Sequence, residues 1–172
     1  MNEALKAIYN RRSIRKYKPE QIREEELEAV LKAGVCAPTG MNRQSPIIVV
    51  IQDRECIDRL SRLNAAVNGW DSDPFYGAPT VLIVLADAKS PHAVQDGSLV
   101  IGNLMNAASA LGLGSCWINR AKEVFDSPEG KALLKKWGIK GEYTGVGNCI
   151  LGYPDEEPEM KPRKENYIYY VR

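Results

Sequence analysis

The chain has 172 residues, of which 44% are hydrophobic and 26% charged, a balance typical of one globular domain with a full core. Its 23 basic and 22 acidic residues leave a net charge of +1, which argues against a general nucleic-acid-coating role. No apolar run approaches the ~18 residues of a membrane span, and no signal peptide is recognisable at the start. Four scattered cysteines without histidine neighbours predict reduced thiols in a cytoplasmic protein, buried in the core without a redox role, and no zinc site.

The spacing of apolar residues predicts alternating helices and strands along the chain. Helices are expected over residues 2–10, 24–35, 54–67, 91–112 and 127–137, and strands over 47–51, 79–87, 115–119 and 144–153. The helix over 91–112 is rich in small residues, so we expect it in the centre of the core or at a subunit contact. Residues 155–172 form a polar arm, and its acidic start, Asp155–Glu159, is expected to be a solvated linker. The arm ends in Y-I-Y-Y-V, which is predicted to pair as a strand with a sheet edge, on this chain or on a second subunit.

Residues 11–18, R-R-S-I-R-K-Y-K, form the most distinctive local pattern. Five of them are cationic, namely Arg11, Arg12, Arg15, Lys16 and Lys18. Because arginine presents a planar fork that matches phosphate, the cluster predicts an anion site, with a solvated basic face as the alternative. A second basic group, K-P-R-K at 161–164, would grip the same phosphate if the two chain ends meet.

No arrangement typical of side-chain catalysis is present in the sequence. The chain has one histidine, His92, for which a surface or capping position is expected, and it lacks both the G-x-G-x-x-G and the P-loop patterns. Asp96, on the longest predicted helix, is likewise expected to be exposed or capping, with a salt bridge to a second subunit as the alternative. A chain of this kind either only binds a ligand or delegates its reaction to an organic cofactor.

Five segments, in this order and spacing, together resemble the FMN-dependent nitroreductase family: 11–17, 37–46, 110–118, 151–154 and 161–164. The resemblance implies a single α+β domain over 1–172, in which helices wrap a mixed sheet. It also implies a homodimer in which the C-terminal arm, 155–172, exchanges its strand between subunits. FMN would be the cofactor, bound at the dimer interface, and NAD(P)H would be a transient electron donor.

The same resemblance implies a role for each matching residue. The residues expected at the flavin phosphate are Arg11, Ser13, Arg15, Lys161 and Arg163, with Arg12 close to the ribityl chain or ring edge. The residues expected to reach the flavin from the partner subunit are Pro38, Thr39 and Gly40, with Asn42 and Gln44 bonding its polar atoms. The residues expected to pass the pyrimidine end and N5 are Trp117, Ile118 and Asn119, where a backbone N–H could be the donor.

The implied function is the transfer of electrons from NAD(P)H through flavin N5 to small electron-poor acceptors, such as nitro compounds and quinones, with ping-pong kinetics. The alternatives are dehalogenation, dehydrogenation or flavin fragmentation on the same scaffold, and a flavin-binding protein without turnover. Trp70, Phe75 and Tyr76 are candidates for a lid over the flavin, or else form an aromatic mini-core under a long loop. Trp117 either contacts the flavin or belongs to the core. Neither a metal nor a membrane is expected as a partner.

Overall fold

In the computed structural model, which describes residues 2–172, a four-stranded sheet lies between two layers of helices. The strands are β1 (Pro46–Ile51), β2 (Thr80–Asp87), β3 (Gly114–Ile118) and β4 (Tyr143–Gly152). The helices are α1 (Glu3–Asn10), α2 (Glu24–Val35), α3 (Arg54–Val67), α4 (Ala93–Ala110), α5 (Ala121–Asp126) and α6 (Pro128–Lys136), with a 3₁₀ turn at Gly40–Asn42. Every helix and strand predicted within residues 2–153 is present, with bounds that shift by no more than a turn.

The strand order is β1-β2-β4-β3, and each neighbouring pair is antiparallel. A parallel contact occurs only at its margin, where Ser13 bridges Ser115 on β3, among the residues that the structure describes. The predicted α+β class is therefore confirmed, with a sheet whose four strands are themselves antiparallel. The central strand β2 is buried on both faces over nearly its whole length, which explains its continuous β-branched and leucine-rich sequence.

Alternate residues of β2 enter two separate cores. Ile83 and Leu85 pack with α3, α5 and α6 on one face, while Leu82 and Val84 pack with α2 and α4 on the other. Each of these four side chains is fully buried, and burial of such a side chain stabilises the fold by about 1.5–3 kcal/mol. A shift of the strand register by one residue would exchange the two faces, so the pattern fixes the register.

Helix α4 lies centrally against the sheet and against α1 and α2, as its small residues predicted. Gly97 approaches β4 so closely that a Cβ would lie 2.5 Å from Cγ2 of Val146. Gly34 on α2 similarly faces the Leu104 side chain of α4. Glycine at these points allows the backbones to approach, which is why the helix sits deep in the fold.

Two segments differ from the sequence-based expectation. Helix α5 was not predicted; it follows Arg120, whose φ of 77° turns the chain sharply out of β3. The segment 167–171 is exposed and forms no strand within the single chain, so its pairing stays a prediction that needs a second chain. Among residues 2–172, no helix is both long and apolar enough to cross a membrane.

Candidate functional site

The basic segment 11–18 is held on one side by β3. The Ile14 N–H donates to the Ser115 carbonyl at 3.0 Å, next to the Ser13–Ser115 bridge. The Ile14 side chain is buried against Gly114, where a Cβ would lie only 3.0 Å from its Cγ2. The backbone from Ser13 to Ile14 is therefore fixed to the sheet. A solvated basic face, the alternative considered for this segment, would not require such attachment.

On its other side the same segment pairs with the start of the arm. The Lys18 N–H donates to the Tyr153 carbonyl at 3.0 Å, and the Asp155 N–H donates to the Lys16 carbonyl at 2.9 Å. The basic segment thus runs between β3 and the end of β4. The start of the arm therefore meets the basic segment, whereas an approach of the second basic group, 161–164, stays a prediction.

A cavity of about 740 Å³ opens beside the two arginines at the start of this segment. Its walls come from the end of α1, the α4–β3 connection and the start of the arm: Asn10, Arg11, Arg12, Ile14, Ser109, Gly112, Leu113, Ser115, Pro154, Asp155, Glu156, Glu157 and Pro158. The volume lies in the range of cofactor and ligand sites. Ser109 and Ser115 were not predicted as site residues. The signal that could have found them was their position beside the glycines at 112 and 114.

Both arginines carry a buried nitrogen without a hydrogen-bond acceptor in the part of the chain that the structure describes. These atoms are Nη1 of Arg11 and Nε of Arg12. Nη1 of Arg12 is satisfied, because it donates to the carbonyls of Tyr9 and Arg11 at 2.8 Å each. A buried donor left unpaired costs about 1–3 kcal/mol and more when it is charged, and both arginines that carry these donors line the cavity.

The charge of Arg11 extends toward the core beneath the cavity. Burial, reinforced by Cys116, raises the pKa of the Cys149 thiol to about 12, and the Arg11 cation opposes that shift. Cys149 is therefore a protonated core thiol, and Cys116 is likewise buried in the core, as predicted. The prediction of buried thiols is wrong for Cys36, which is exposed at the end of α2.

Acidic residues form the opposite wall of the cavity. The sequence predicted a solvated linker for Asp155–Glu159, but Glu156 accepts a hydrogen bond from the Arg15 backbone N–H. The Arg15 guanidinium lies 6.0 Å from the centroid of the Tyr76 ring and is outside the cavity lining. Lys161 and Arg163 are exposed and also outside it. A single chain therefore brings Arg11 and Arg12 to the cavity, together with Ser115. The cofactor roles of all the predicted cations stay predictions.

The five residues expected from the turn lie elsewhere, around the 3₁₀ segment Gly40–Asn42, and none of them lines this cavity: Pro38, Thr39, Gly40, Asn42 and Gln44. This separation is compatible with the expectation that they serve the cavity of a partner chain. The turn is attached to α4 through Asp96, whose side chain accepts from the Gly40 N–H at 2.9 Å. Asp96 is only 3% exposed, so the expectation of an exposed or capping aspartate is wrong. His92, by contrast, is exposed at the N-cap of α4, as predicted.

At the end of β3, the Trp117 indole packs in the core on the α4 face, in contact with Gly147. Its Nε1 is buried without an acceptor among residues 2–172. The carbonyls of the next two residues are each bonded by an asparagine side chain: Ile118 by Asn148 at 3.4 Å and Asn119 by Asn64 at 2.8 Å. Both asparagines are buried in otherwise apolar segments, a signal that the sequence-based reasoning missed.

The three aromatic residues at 70–76 were expected to form either a lid over the flavin or an aromatic mini-core, and they divide between these two positions. Phe75 is 1% exposed and belongs to the core, whereas Trp70 and Tyr76 are 57% and 42% exposed. Asp73 fixes the loop by accepting from the Ser61 hydroxyl and from the N–H groups of Phe75 and Gly77. Only Trp70 and Tyr76 therefore remain available as lid residues.

Comparison with known proteins identifies the fold and its lineage. The family model described as Nitroreductase family matches residues 8–68 and 66–153. A putative NADH dehydrogenase/NAD(P)H nitroreductase of Archaeoglobus fulgidus is 36% identical over 166 residues, covering 93% of this chain and 90% of the relative. A crystal structure of a nitroreductase with bound FMN from Bacteroides fragilis superposes with a TM-score of 0.92 at 31% identity, covering 100% of both chains. An iodotyrosine deiodinase of Thermotoga neapolitana is 24% identical over 190 residues, covering 96% of this chain and 98% of the relative. The predicted family is confirmed: the chain belongs to the nitroreductase family.

Proposed function

We propose that this chain is an FMN-dependent oxidoreductase that takes electrons from NAD(P)H and passes them to small electron-poor acceptors, such as nitro compounds and quinones. The enzyme class and the electron donor are inferred from the similarity to the Archaeoglobus relative. The cofactor is inferred from the similarity to the FMN-bound Bacteroides structure. The observation that carries the proposal is the cavity with two buried, unpaired guanidinium nitrogens. A phosphate monoester supplies the acceptors that these nitrogens lack.

The residues present fit the phosphate end of FMN. Arg11 would donate a charge-assisted hydrogen bond to the phosphate, with Arg12 beside the ribityl chain or ring edge, and Ser13 would be held next to the site by its bridge to Ser115. The acidic wall of the cavity opposes a dianion, so further cations are needed for tight binding. We propose that Arg15, Lys161 and Arg163 supply them once the arm has taken its place in a dimer.

When bound, FMN would supply the redox chemistry, by accepting hydride from NAD(P)H at N5 and passing the reducing equivalents onward. The protein would anchor the phosphate, orient the ring along the backbone of Trp117, Ile118 and Asn119, and exclude water from the covered face. Arg12, close to the ring edge, would stabilise negative charge at the pyrimidine end. Because donor and acceptor would use the same open face in turn, we expect ping-pong kinetics.

We further propose a homodimer with exchanged arms. Leu5, Ile8 and Tyr9 on α1 and Leu99 on α4 are exposed, as is the apolar end of the arm at 167–171. Such a set of exposed large apolar side chains exceeds what an isolated chain usually shows and marks an interaction surface. A partner chain would cover it and would bring a 37–45 turn to each cavity.

The test is an anaerobic visible spectrum of the purified chain after reconstitution with FMN. We expect a flavin absorbance that NADH or NADPH bleaches and that a quinone or nitro compound restores, with parallel lines in double-reciprocal initial-rate plots. A chain that stays colourless after reconstitution overturns the proposal. A chain that binds flavin but oxidises NAD(P)H no faster than free FMN is a binding protein without turnover.

Reductive dehalogenation is a second candidate, favoured by the similarity to the Thermotoga iodotyrosine deiodinase over nearly the whole of both chains. The reductant that reduces the flavin distinguishes dehalogenation from NAD(P)H-dependent reduction. Reduction of the flavin by dithionite but by neither nicotinamide, followed by halide release from 3-iodotyrosine, would favour the second candidate. Nicotinamide-driven reduction with no halide release favours the first.

A further inference from the structure

The turn that carries five of the predicted flavin contacts has a strained backbone. Met41, Asn42 and Gln44 have positive φ angles of 55°, 53° and 51°. Asparagine tolerates this region, but for methionine and glutamine it costs about 1–2 kcal/mol per residue. Such residues persist only where the surrounding structure holds them, and they are concentrated at functional sites.

Asp96 on α4 connects the two ends of this turn. Its Oδ1 accepts from the Gly40 N–H at 2.9 Å, and its Oδ2 accepts from the Ser45 hydroxyl at 3.4 Å. Within the turn, the Thr39 hydroxyl oxygen accepts from the Gln44 N–H at 3.0 Å. Three hydrogen bonds therefore hold the strained residues without any contribution from a ligand.

Burial of the Asp96 side chain costs desolvation free energy, which the hydrogen bonds of this side chain must offset. The side chain is 3% exposed, and no lysine or arginine forms a salt bridge with it in residues 2–172. A buried carboxylate without a cation is unfavourable unless hydrogen bonds and a helix dipole compensate. Asp96 lies in the first turn of α4, where the dipole favours an anion.

The start of α4 also encloses the turn sterically. Gly40 does not have a positive φ, yet a Cβ there would overlap the His92 ring and lie 2.9 Å from its Cγ. Gly40 therefore fits between the His92 imidazole and the Asp96 carboxylate. The N-terminal end of α4 therefore both bonds to the segment 39–45 and limits the movement of that segment.

The side chains that this arrangement leaves outside are the polar groups expected at the cofactor. Asn42 and Gln44 are exposed, and the Gln44 amide donates to Oδ1 of Asn42 at 3.2 Å. We propose that Asp96 is a positioning residue, which holds the 39–45 turn in its binding conformation before any flavin arrives. The inference rests on the proposed function for its ligand. Such preorganisation strengthens binding because less conformational entropy is lost on association.

The test compares Asp96→Ala, Asp96→Asn and the control Gln95→Ala, an exposed neighbour on the same helix. In flavin-free protein, hydrogen exchange of the peptide 37–45 should accelerate roughly 10-fold or more in Asp96→Ala, since the Gly40 amide loses its acceptor. In the reconstituted protein, its FMN dissociation constant should rise roughly 10- to 100-fold, with a shifted flavin spectrum. Asp96→Asn keeps an acceptor for Gly40 and should restore both values to near the wild type.

The two readouts separate the inference from the proposed function. An unchanged hydrogen-exchange rate at 37–45 in Asp96→Ala would show that Asp96 does not hold the turn, and would overturn the inference. Faster hydrogen exchange in Asp96→Ala, with unchanged FMN affinity and flavin spectrum, would overturn the role of the held turn in cofactor binding. A wild-type chain that binds no FMN overturns the proposed function and the cofactor half of the inference, while the exchange rates still decide whether Asp96 holds the turn. Should Asp96→Ala fail to fold, Asp96→Leu keeps the volume without an acceptor and replaces it in both measurements.

Discussion

Arg11 and Arg12 are half-buried cations that each keep one buried nitrogen without an acceptor. Exposed arginines would satisfy these groups with water at no cost, and arginines serving only the fold would be paired with carbonyls, as Nη1 of Arg12 is. The unpaired nitrogens therefore support the proposed ligand site over a purely structural role. The phosphate is the group that we propose Arg11 to bind.

Replacement of Arg11 by alanine tests this assignment. A charge-assisted hydrogen bond contributes about 1.5–3 kcal/mol, so Arg11→Ala should raise the FMN dissociation constant roughly 10- to 100-fold. The dissociation constant of riboflavin, which lacks the phosphate, should hardly change. Fluorescence titration with both ligands gives the comparison, with Lys16→Ala, an exposed cation outside the cavity, as the control. An equal loss of affinity for both flavins would place Arg11 away from the phosphate.

Other residues show why single-residue roles were harder to predict than the cluster itself. An aspartate in a helical pattern has no sequence signal that separates an exposed position from the buried one that Asp96 takes against a distant turn. Trp117 follows the alternation of β3, and only the packing of α4 decides that its indole lies in the core. In both cases the deciding neighbour is far away in the sequence.

At the scale of elements, α2 is attached to the end of β4 by a carboxylate. The Tyr153 hydroxyl donates to Glu26 at 2.6 Å, and Arg23 forms an ion pair with the same carboxylate at 2.7 Å. These bonds, that of Arg23 first, lower the pKa of Glu26 to about 2. Tyr153 also accepts from Lys18, so this contact supports the junction between the basic segment and the arm.

The pH dependence of stability should reveal this contact. Because folding lowers the pKa of Glu26 from its usual 4.5 to about 2, its stabilisation is fully present above pH 4.5 and is lost as the pH falls through about 2. Glu26→Gln should therefore melt below the wild type at pH 7, and this difference should shrink between pH 4.5 and 2. Thermal melts monitored by circular dichroism test this, with Glu28→Gln, an exposed residue on the same helix, as the control. A difference independent of pH would contradict it.

The unpredicted helix α5 depends on one glycine of β4. A Cβ at Gly145 would overlap the Ala121 carbonyl and lie 2.6 Å from the Lys122 nitrogen, and backbone atoms cannot rotate away. Gly145→Ala should thus destabilise the fold by about 1–3 kcal/mol, with a fall in Tm of roughly 2–4 °C per kcal/mol. Calorimetry of this variant against Thr144→Ser measures the effect. An unchanged Tm would mean that α5 moves freely on the sheet.

The six residues of α5 could not be predicted because they are too short to display a helical period. Longer elements such as α2 and α3 carry three or four turns of apolar spacing, and their predicted bounds, 24–35 and 54–67, match the structure. Strands β1 and β2 were visible for another reason, since a strand buried on both faces is a continuous apolar run. Length and burial decided which elements the sequence reveals.

At the scale of the whole molecule, we propose that the exposed apolar surface and the arm pack against a second chain. Removal of residues 159–172 retains every cavity-lining residue but deletes Lys161, Arg163 and the apolar end. We expect the full chain to be a dimer by light scattering and the shortened chain to be largely monomeric. Its FMN affinity should fall more than roughly 10-fold, because the arm cations and the partner's turn are both lost.

Val67→Ser, which changes an exposed apolar residue at the end of α3, is the control for this truncation. It should leave both the oligomeric state and the affinity unchanged. A full-length chain that is monomeric with bound FMN would overturn the arm exchange, and it would also require the 37–45 turn to reach the cavity of its own chain.

The sequence by itself determined the helices and strands with a full apolar period, the basic segment and the family, because these depend on neighbours within a few residues or on motifs in a fixed order. Tertiary structure alone decided that Arg11 and Arg12 reach the cavity in one chain while Arg15 does not, that Glu156 joins the basic segment, and that Asp96 is buried under the 39–45 turn. These outcomes depend on desolvation and on contacts between residues that are 56 and 141 positions apart in the sequence. Local periodicity carries no information about such contacts, since the same aspartate or arginine would fit the pattern equally well in water.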